Sequence, residues 1–210
     1  MRAAVICNGI IDDYNDIKAI DADIIVCADG GSNYAYKADI IPDCIIGDLD
    51  SISCEAKAYF ESKGVEFIKY SKDKDETDTH LALNYCLKNG CVDVTLYAAL
   101  GGRFDHAFAN VSLLAMLKQR GITARIIDDK STLYVSDDVV KITGRPGDLL
   151  SLLPLGNGIV IIETNGLHYA VKDRAFPFGY PFGVSNVFTS DTASVKLSGG
   201  WLLAVHTRKI

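Results

Sequence analysis

The sequence predicts an α/β protein in two parts: an N-terminal Rossmann-like domain built on a parallel sheet, followed by a C-terminal all-β sandwich domain. Three observations predict it. Through about residue 128, short apolar runs alternate with stretches of helical spacing, the pattern of parallel strands covered on both faces by helices. Beyond about residue 130 the helical period disappears, and short strand-like runs separated by turn residues replace it, as in an antiparallel sandwich or barrel. Four polar or glycine-rich loops of the first part follow its apolar runs, at the strand ends where such sheets bind ligands. The domains are placed at 1–132 and 133–210, the changeover falling within residues 129–140.

Taken in order, Ala3 to Cys7 reads as a buried strand stopping at Asn8-Gly9, and Asp12 to Ile20 as a short helix. Ile24 to Ala28 is a second strand, ended by Asp29-Gly30-Gly31; a helix over Ser32 to Ala38 is broken by Pro42. Cys44 to Ile46 supplies a third strand, Glu55 to Lys63 a helix closed by Gly64, and Val65 to Tyr70 a fourth strand. After the polar loop from Ser71 to Asp78 come a helix over Thr79 to Lys88, a strand over Val92 to Ala98, a helix over Ala107 to Gln119 and a strand over Ala124 to Asp128. In the second part the strand-like runs are Leu133–Val135, Val139–Ile142, Leu149–Leu153, Ile159–Glu163, His168–Val171, Ala193–Leu197 and Trp201–Val205.

Composition narrows the partners. A formal net charge of -6 without any Lys/Arg cluster argues against a nucleic-acid surface. The amino terminus is too short in apolar run for a secretory signal and no stretch reaches membrane-spanning length, so no membrane partner and a cytoplasmic location are expected. The six cysteines form no Cys-x-x-Cys and no zinc spacing, and read as reduced and structural.

The chemistry centres on Gly47-Asp48-Leu49-Asp50-Ser51. In an extended segment alternate residues share a face, so Asp48 and Asp50 point the same way. Adjacent anions call for a cation or a shared proton, and oxygen-only ligands favour magnesium; the competing reading is a helix cap near Ser51 or Ser53. Asp78 is either a third carboxylate for the same metal or, with Thr77, the N-cap of the next helix. Lys72 and Lys74 are phosphate partners or a solvated charge run. Glycines 30, 31, 101 and 102 either admit phosphates close to backbone amides or make turns. No P-loop and no Gly-x-Gly-x-x-Gly is present. Arg103 either forks onto a phosphate or pairs with Asp105 at the surface, and His106 reads as a structural group at a helix start. Near Gly183-Val184-Ser185-Asn186, the aromatics Phe176, Phe178, Tyr180 and Phe182 suit either an aromatic core or the walls of a site for a flat, partly cationic ligand.

Together these motifs resemble the thiamine pyrophosphokinase family. The resemblance runs in order through Cys27 to Asn33, Pro42 to Ser51, Lys74 to Asp78, Gly101 to His106 and Gly183 to Asn186. It implies a homodimer with sites between subunits, and the reaction of thiamine with ATP to give thiamine diphosphate and AMP with Mg2+. By motif matching it implies that Asp29, Asp48, Asp50 and Asp78 belong to the metal and phosphate cluster, that Asp48, Asp50 and Asp78 hold the metal, and that these three with Arg103 and Asp105 carry catalysis. Asp29, Gly30, Gly31, Asn33, Lys74, Thr77, Arg103 and Asp105 would hold ATP; Ser185, Asn186 and Tyr169 would contact thiamine. Two positions depart from the family pattern: Val187 stands where an acidic residue is frequent, and Gly166-Leu167-His168-Tyr169 replaces a Gly-Leu-Lys-Trp-like stretch. The rival readings are a phosphohydrolase with Asp48 as nucleophile and a non-catalytic sensor of nucleotide or thiamine.

Overall fold

A computed structural model describes residues 1–209, divided into two compact units, Met1–Asp129 and Lys130–Ile210. The first unit contains strands β1 (Arg2–Ile6), β2 (Ile24–Ala28), β3 (Cys44–Gly47), β4 (Glu66–Lys69), β5 (Asp93–Tyr97) and β6 (Thr123–Asp128). They lie in the order β6-β5-β1-β2-β3-β4, and each neighbouring pair is parallel. The chain steps outward from β1 to β4, then returns to the other side of β1 for β5 and β6. That reversal opens a crevice between the loops after β1 and β5, the usual ligand position in such sheets.

Helices α1 (Asn15–Lys18), α2 (Gly31–Lys37), α3 (Cys54–Ser62), α4 (Asp78–Lys88) and α5 (Phe104–Gln119) cover the sheet. Ile6, Ile17, Cys27, Ala35, Ile45, Ala56 and Phe60 form one buried cluster between strands and helices. From α4, Leu81, Ala82, Leu83 and Cys86 are buried as well. The helix read over Asp12 to Ile20 is shorter because the Asp13 carboxylate accepts from both the backbone and side-chain nitrogens of Asn15 at 2.9 Å. A local side-chain bond of this kind displaces the helical one and sets the start. All six cysteines are free thiols, and only Cys54 is exposed.

The second unit contains β7 (Ser131–Ser136), β8 (Val139–Thr143), β9 (Leu149–Leu155), β10 (Ile159–Asn165), β11 (Lys172–Phe176), β12 (Gly183–Val187), β13 (Thr192–Ser198) and β14 (Trp201–Thr207). Within it, β12-β9-β14-β7 and β11-β10-β13-β8 run as two antiparallel sets. Burial alternates along β9, β13 and β14, and Leu150, Leu152, Ile161, Phe176, Val195, Leu197 and Leu202 from both sets share one core. This is a sandwich. Among the described residues no helix is long and apolar enough to cross a membrane.

The strand expected at His168–Val171 is absent, and Lys172–Phe176 takes its place. Gly166 turns the chain at φ +74, and the backbone of Tyr169 then bonds to the Asn186 side chain instead of a neighbouring strand. Pairing with β10 resumes at Glu163 opposite Lys172. Gly183–Val187, outside the strand-like runs read from the sequence, is the edge strand β12, with a register shift between Gly183 and Asn186 and Ser185 at φ +60.

One buried polar contact locks the second unit. His206 Nε2 lies 2.8 Å from Asp148 Oδ2, and the same carboxylate accepts from the backbone N–H groups of Arg145 at 3.0 Å and Lys209 at 2.9 Å. Burial pushes the Asp148 pKa up, but the donors from Lys209, His206 and Arg145 outweigh it and hold the carboxyl below its ordinary 3.8. Stability from a depressed carboxylate is present above 3.8 and is lost as pH falls through the lower native value. Asp148→Asn is therefore expected to destabilise the protein at neutral pH by about 1–3 kcal/mol, with the deficit shrinking as pH drops below about 4. Thermal melts across pH check this; a deficit constant with pH would show that the charge is not responsible.

Candidate active site

The loops after β1 to β5 line a cavity of about 590 Å³. Oxygens from Asp29, Asp48 and Asp78 there lie within 4.8 Å of one another. Each is placed by the end of a strand or the start of a helix. Asp29 follows β2 at φ +44; its N–H donates to Ile46 O at 2.8 Å and its carbonyl accepts from Ser32 Oγ at 2.7 Å. Asp78 opens α4, whose first turn is capped by Thr77 Oγ1 accepting from His80 N at 3.2 Å. Asp48 follows Gly47, where the backbone has φ +154. A Cβ on Gly47 would stand 2.8 Å from Asp29 Cβ and 3.1 Å from Asp78 Cγ, so this glycine clears the space in which the carboxylates meet.

The electrostatics of the cluster suit a cation. Asp78 Oδ1 is sealed from solvent and has no hydrogen-bond partner. Lys74 Nζ lies 2.9 Å from it, an ion contact without hydrogen-bond geometry. Burial raises the Asp78 pKa; Lys74 opposes that, and Asp29 and Asp48 add to it. A buried carboxylate oxygen beside two further carboxylates, with no nitrogen or sulfur ligand in the set, fits a hard divalent ion such as magnesium.

Asp50 lines the same cavity and its N–H donates to Asp48 Oδ1 at 3.2 Å, but its carboxylate is not among the three whose oxygens meet. Leu49 adopts φ +64, so the strand alternation that would put Asp48 and Asp50 on one face ends at Gly47. Asp50 turns to Lys72 and to Ser51 Oγ. The three carboxylates gathered are thus Asp29, Asp48 and Asp78, with Asp29 in the position that alternation gave to Asp50.

The other expected residues divide. Lys74, Thr77 and Arg103 line the cavity. Arg103 forks onto Asp105, with Nε 3.1 Å and Nη2 2.6 Å from the two carboxylate oxygens, and both side chains are exposed. Gly30 and Gly31 face inward: a Cβ would stand 2.4 Å from the Asn8 side chain at one and 2.1 Å from Ile6 O at the other. Their role is close packing of α2 on β1. Asn33 holds the loop after β3, donating to Ser51 O at 2.8 Å and accepting from Ser53 N at 2.9 Å.

Asn8, Thr79 and Asn110 also line the cavity and escaped the sequence reading. Asn110 is buried and donates to Ala99 O at 2.7 Å, which fixes the loop after β5; an asparagine between Ala109 and Val111 in an apolar helix was its signal. Thr79 Oγ1 donates to Cys7 Sγ at 3.6 Å, and burial pushes that thiol up to about 12, so it stays protonated and inert.

The second unit has a cavity of about 510 Å³ lined by Tyr169, Asn186, Arg174, Phe176, Phe182 and neighbours. Phe178, Tyr180 and Phe182 are exposed while Phe176 is in the core, so the aromatic run supplies both a surface and a core residue. The Asn186 amide is occupied internally: it donates to Tyr169 O at 2.8 Å and accepts from the N–H groups of Tyr169 and Val187 at 2.9 Å. Ser185 is exposed, its N–H donating to Ser151 Oγ at 3.1 Å. Arg174 lies 5.2 Å above the Phe182 ring.

Comparison with known proteins adds the decisive observation. The family model for the thiamin pyrophosphokinase catalytic domain matches residues 18–126, and that for the thiamin pyrophosphokinase vitamin B1 binding domain matches residues 137–202. The chain belongs to the thiamin pyrophosphokinase family. Thiamine pyrophosphokinase 1 of Oryza sativa subsp. japonica is 26% identical over 232 residues, covering 98% of this chain and 87% of the relative. The Bacillus subtilis thiamine pyrophosphokinase is 25% identical over 183 residues, covering 85% of each. The crystal structure of thiamine pyrophosphokinase from Bacillus subtilis matches the whole of both chains with a TM-score of 0.89 at 22% identity. That of thiamin pyrophosphokinase from Candida albicans covers 99% of this chain and 89% of its own, with a TM-score of 0.85 at 23% identity. These likenesses to solved structures establish the fold. The phosphohydrolase and sensor readings find no support among the relatives.

Gly47→Ala tests the clearance between the carboxylates. The added Cβ is expected to force Asp29 and Asp78 apart, lowering turnover at least about tenfold and stability by about 1–3 kcal/mol. Kinetics paired with thermal melts check this; normal turnover would show that the spacing is not critical.

Proposed function

We propose that this chain transfers the pyrophosphoryl group of ATP to the hydroxyl of thiamine, giving thiamine diphosphate and AMP, with Mg2+ held by Asp29, Asp48 and Asp78. The observation that carries this reading is the cluster of three carboxylates with its buried Asp78 oxygen, in a chain matched in order by the catalytic and vitamin B1 binding family models. Bound magnesium supplies charge neutralisation of the triphosphate and polarises the phosphorus under attack. The protein's own task is placement: the thiamine oxygen must be aligned with the β-phosphorus, opposite the oxygen that departs with AMP.

Arg103, Lys72 and Lys74 are the cavity's cations for phosphate oxygens. Arg103 can exchange its exposed Asp105 partner for a phosphate at little cost, since such surface pairs contribute about 0–1 kcal/mol. In the second unit, the exposed residues Tyr169 and Phe182 could stack on thiamine, and the Arg174 guanidinium over the Phe182 ring supports cation–π contact there. Asn186 acts indirectly, by fixing the Tyr169 backbone. The family resemblance adds assembly as a homodimer. Exposed Phe104 and Phe108, stacked at 6.2 Å on α5, are apolar surface that a dimer would cover.

Incubation with ATP, Mg2+ and thiamine is expected to yield AMP and thiamine diphosphate, resolved by ion-pair chromatography. ADP with thiamine monophosphate, or phosphate release without thiamine, would overturn the assignment. Asp48→Asn is expected to lower turnover at least about a hundredfold, comparable to removing a preorganised electrostatic group, with an unchanged circular dichroism spectrum. Light scattering is expected to give the mass of two chains.

A further inference from the structure

The loop between β4 and α4 carries two lysines, each set against an aspartate of the cavity: Lys72 against Asp50 and Lys74 against Asp78. They differ in exposure. The Lys72 and Asp50 side chains are 68% and 46% exposed, so water screens that pair. Those of Lys74 and Asp78 are 14% and 26% exposed, and their charges act on one another with less screening. Lys74 Nζ also donates to Ser71 O at 3.0 Å. Both of its partners belong to residues 71–78, and Asp78 is four residues on, so the ammonium can leave by side-chain rotation alone.

Its hold on the cluster is incomplete. Lys74 offers positive charge to Asp78 Oδ1 at 2.9 Å, yet that oxygen has no hydrogen bond. One ammonium offsets only part of the charge of three carboxylates. A divalent ion among Asp29, Asp48 and Asp78 would bring twice the charge to the same oxygens and would repel the ammonium beside them.

We infer that Lys74 is a displaceable internal counter-ion: without metal its ammonium offsets part of the charge of the Asp29–Asp48–Asp78 cluster through Asp78, and a divalent cation releases it toward the phosphates of the nucleotide. This rests on reading the cluster as the metal site. Lys74 is then a positioning residue that couples two binding events. Metal alone must evict the lysine into water, whereas metal arriving with a triphosphate gives it a new anionic partner. By linkage, each of the two ligands tightens the other's binding by the same factor.

The test is Mn2+ binding to the full chain without nucleotide, followed by the electron paramagnetic resonance signal of free Mn2+. Wild type, Lys74→Met, Lys74→Arg and Asp48→Asn are compared, each checked for fold by thermal melts; Lys74→Gln replaces the methionine variant if that fails to fold. The neutral variant is expected to bind Mn2+ about tenfold more tightly, the usual scale for removing a neighbouring like charge. The arginine variant is expected to stay within about threefold of wild type by the same charge argument. A nonhydrolysable ATP analogue should tighten Mn2+ binding less in Lys74→Met than in wild type. Unchanged or weaker Mn2+ binding in folded Lys74→Met would overturn the role of Lys74. Mn2+ binding insensitive to Asp48→Asn would instead overturn the metal site itself, and the counter-ion role with it.

Discussion

Three carboxylates are held closer together than their charges would choose. Asp29, Asp48 and Asp78 come from the end of β2, the end of β3 and the start of α4, and nothing in their local sequence draws them to one point. The parallel sheet does that. With β2 beside β3 in register and α4 packed against β1, β2 and β3, the strand ends share one edge, and the repulsion there is met by core burial elsewhere in the unit. The raised pKa of Asp78 comes first from burial, with the Asp29 and Asp48 charges adding to it. It also explains why a cation-binding site can sit on a chain of net charge -6: what matters is the local field at a partly desolvated cluster.

Much of this was legible in the sequence, because it rests on periodicity. Strands of the first unit appear as apolar runs, and a carboxylate after such a run lands at the ligand edge whatever the side-chain details. What could not be read is where the backbone departs from the ideal strand. Alternation joined Asp48 to Asp50, but the left-handed Leu49 has no signature in a polar/apolar pattern. Gly30 and Gly31 were equally ambiguous. A glycine that admits a phosphate and one that admits its own Asn8 and Ile6 neighbours look alike until the chain is folded.

The second unit was harder for a related reason. Its inner strands alternate clearly, whereas β11 begins Lys172-Asp173-Arg174 and is exposed over most of its length. Edge strands are commonly charged, which guards against pairing with other chains, and a charged edge strand reads as a loop. Asn186 was singled out for ligand contact, yet its amide is engaged by the backbone around Tyr169 and Val187. Its contribution to a site is the shape of the segment carrying Tyr169.

Backbone strain shows how the first site is kept. Asp29, Leu49 and Ala98 follow β2, β3 and β5 with φ of +44, +64 and +49. Aspartate tolerates this region, but leucine and alanine carry a Cβ that opposes it, at about 1–2 kcal/mol each. Such cost persists only where surrounding bonds impose it, and here they do: Ala98 O accepts from Gly9 N at 2.7 Å and Leu100 O accepts from Ile10 N at 2.9 Å, joining the loops after β1 and β5 across the crevice. The cavity is therefore shaped by main-chain bonds at strand ends, with side chains set into a frame they did not create. It follows that single carboxylates can be neutralised without loss of the fold, while a Cβ at Gly47 presses on the Asp29 and Asp78 side chains set into that frame.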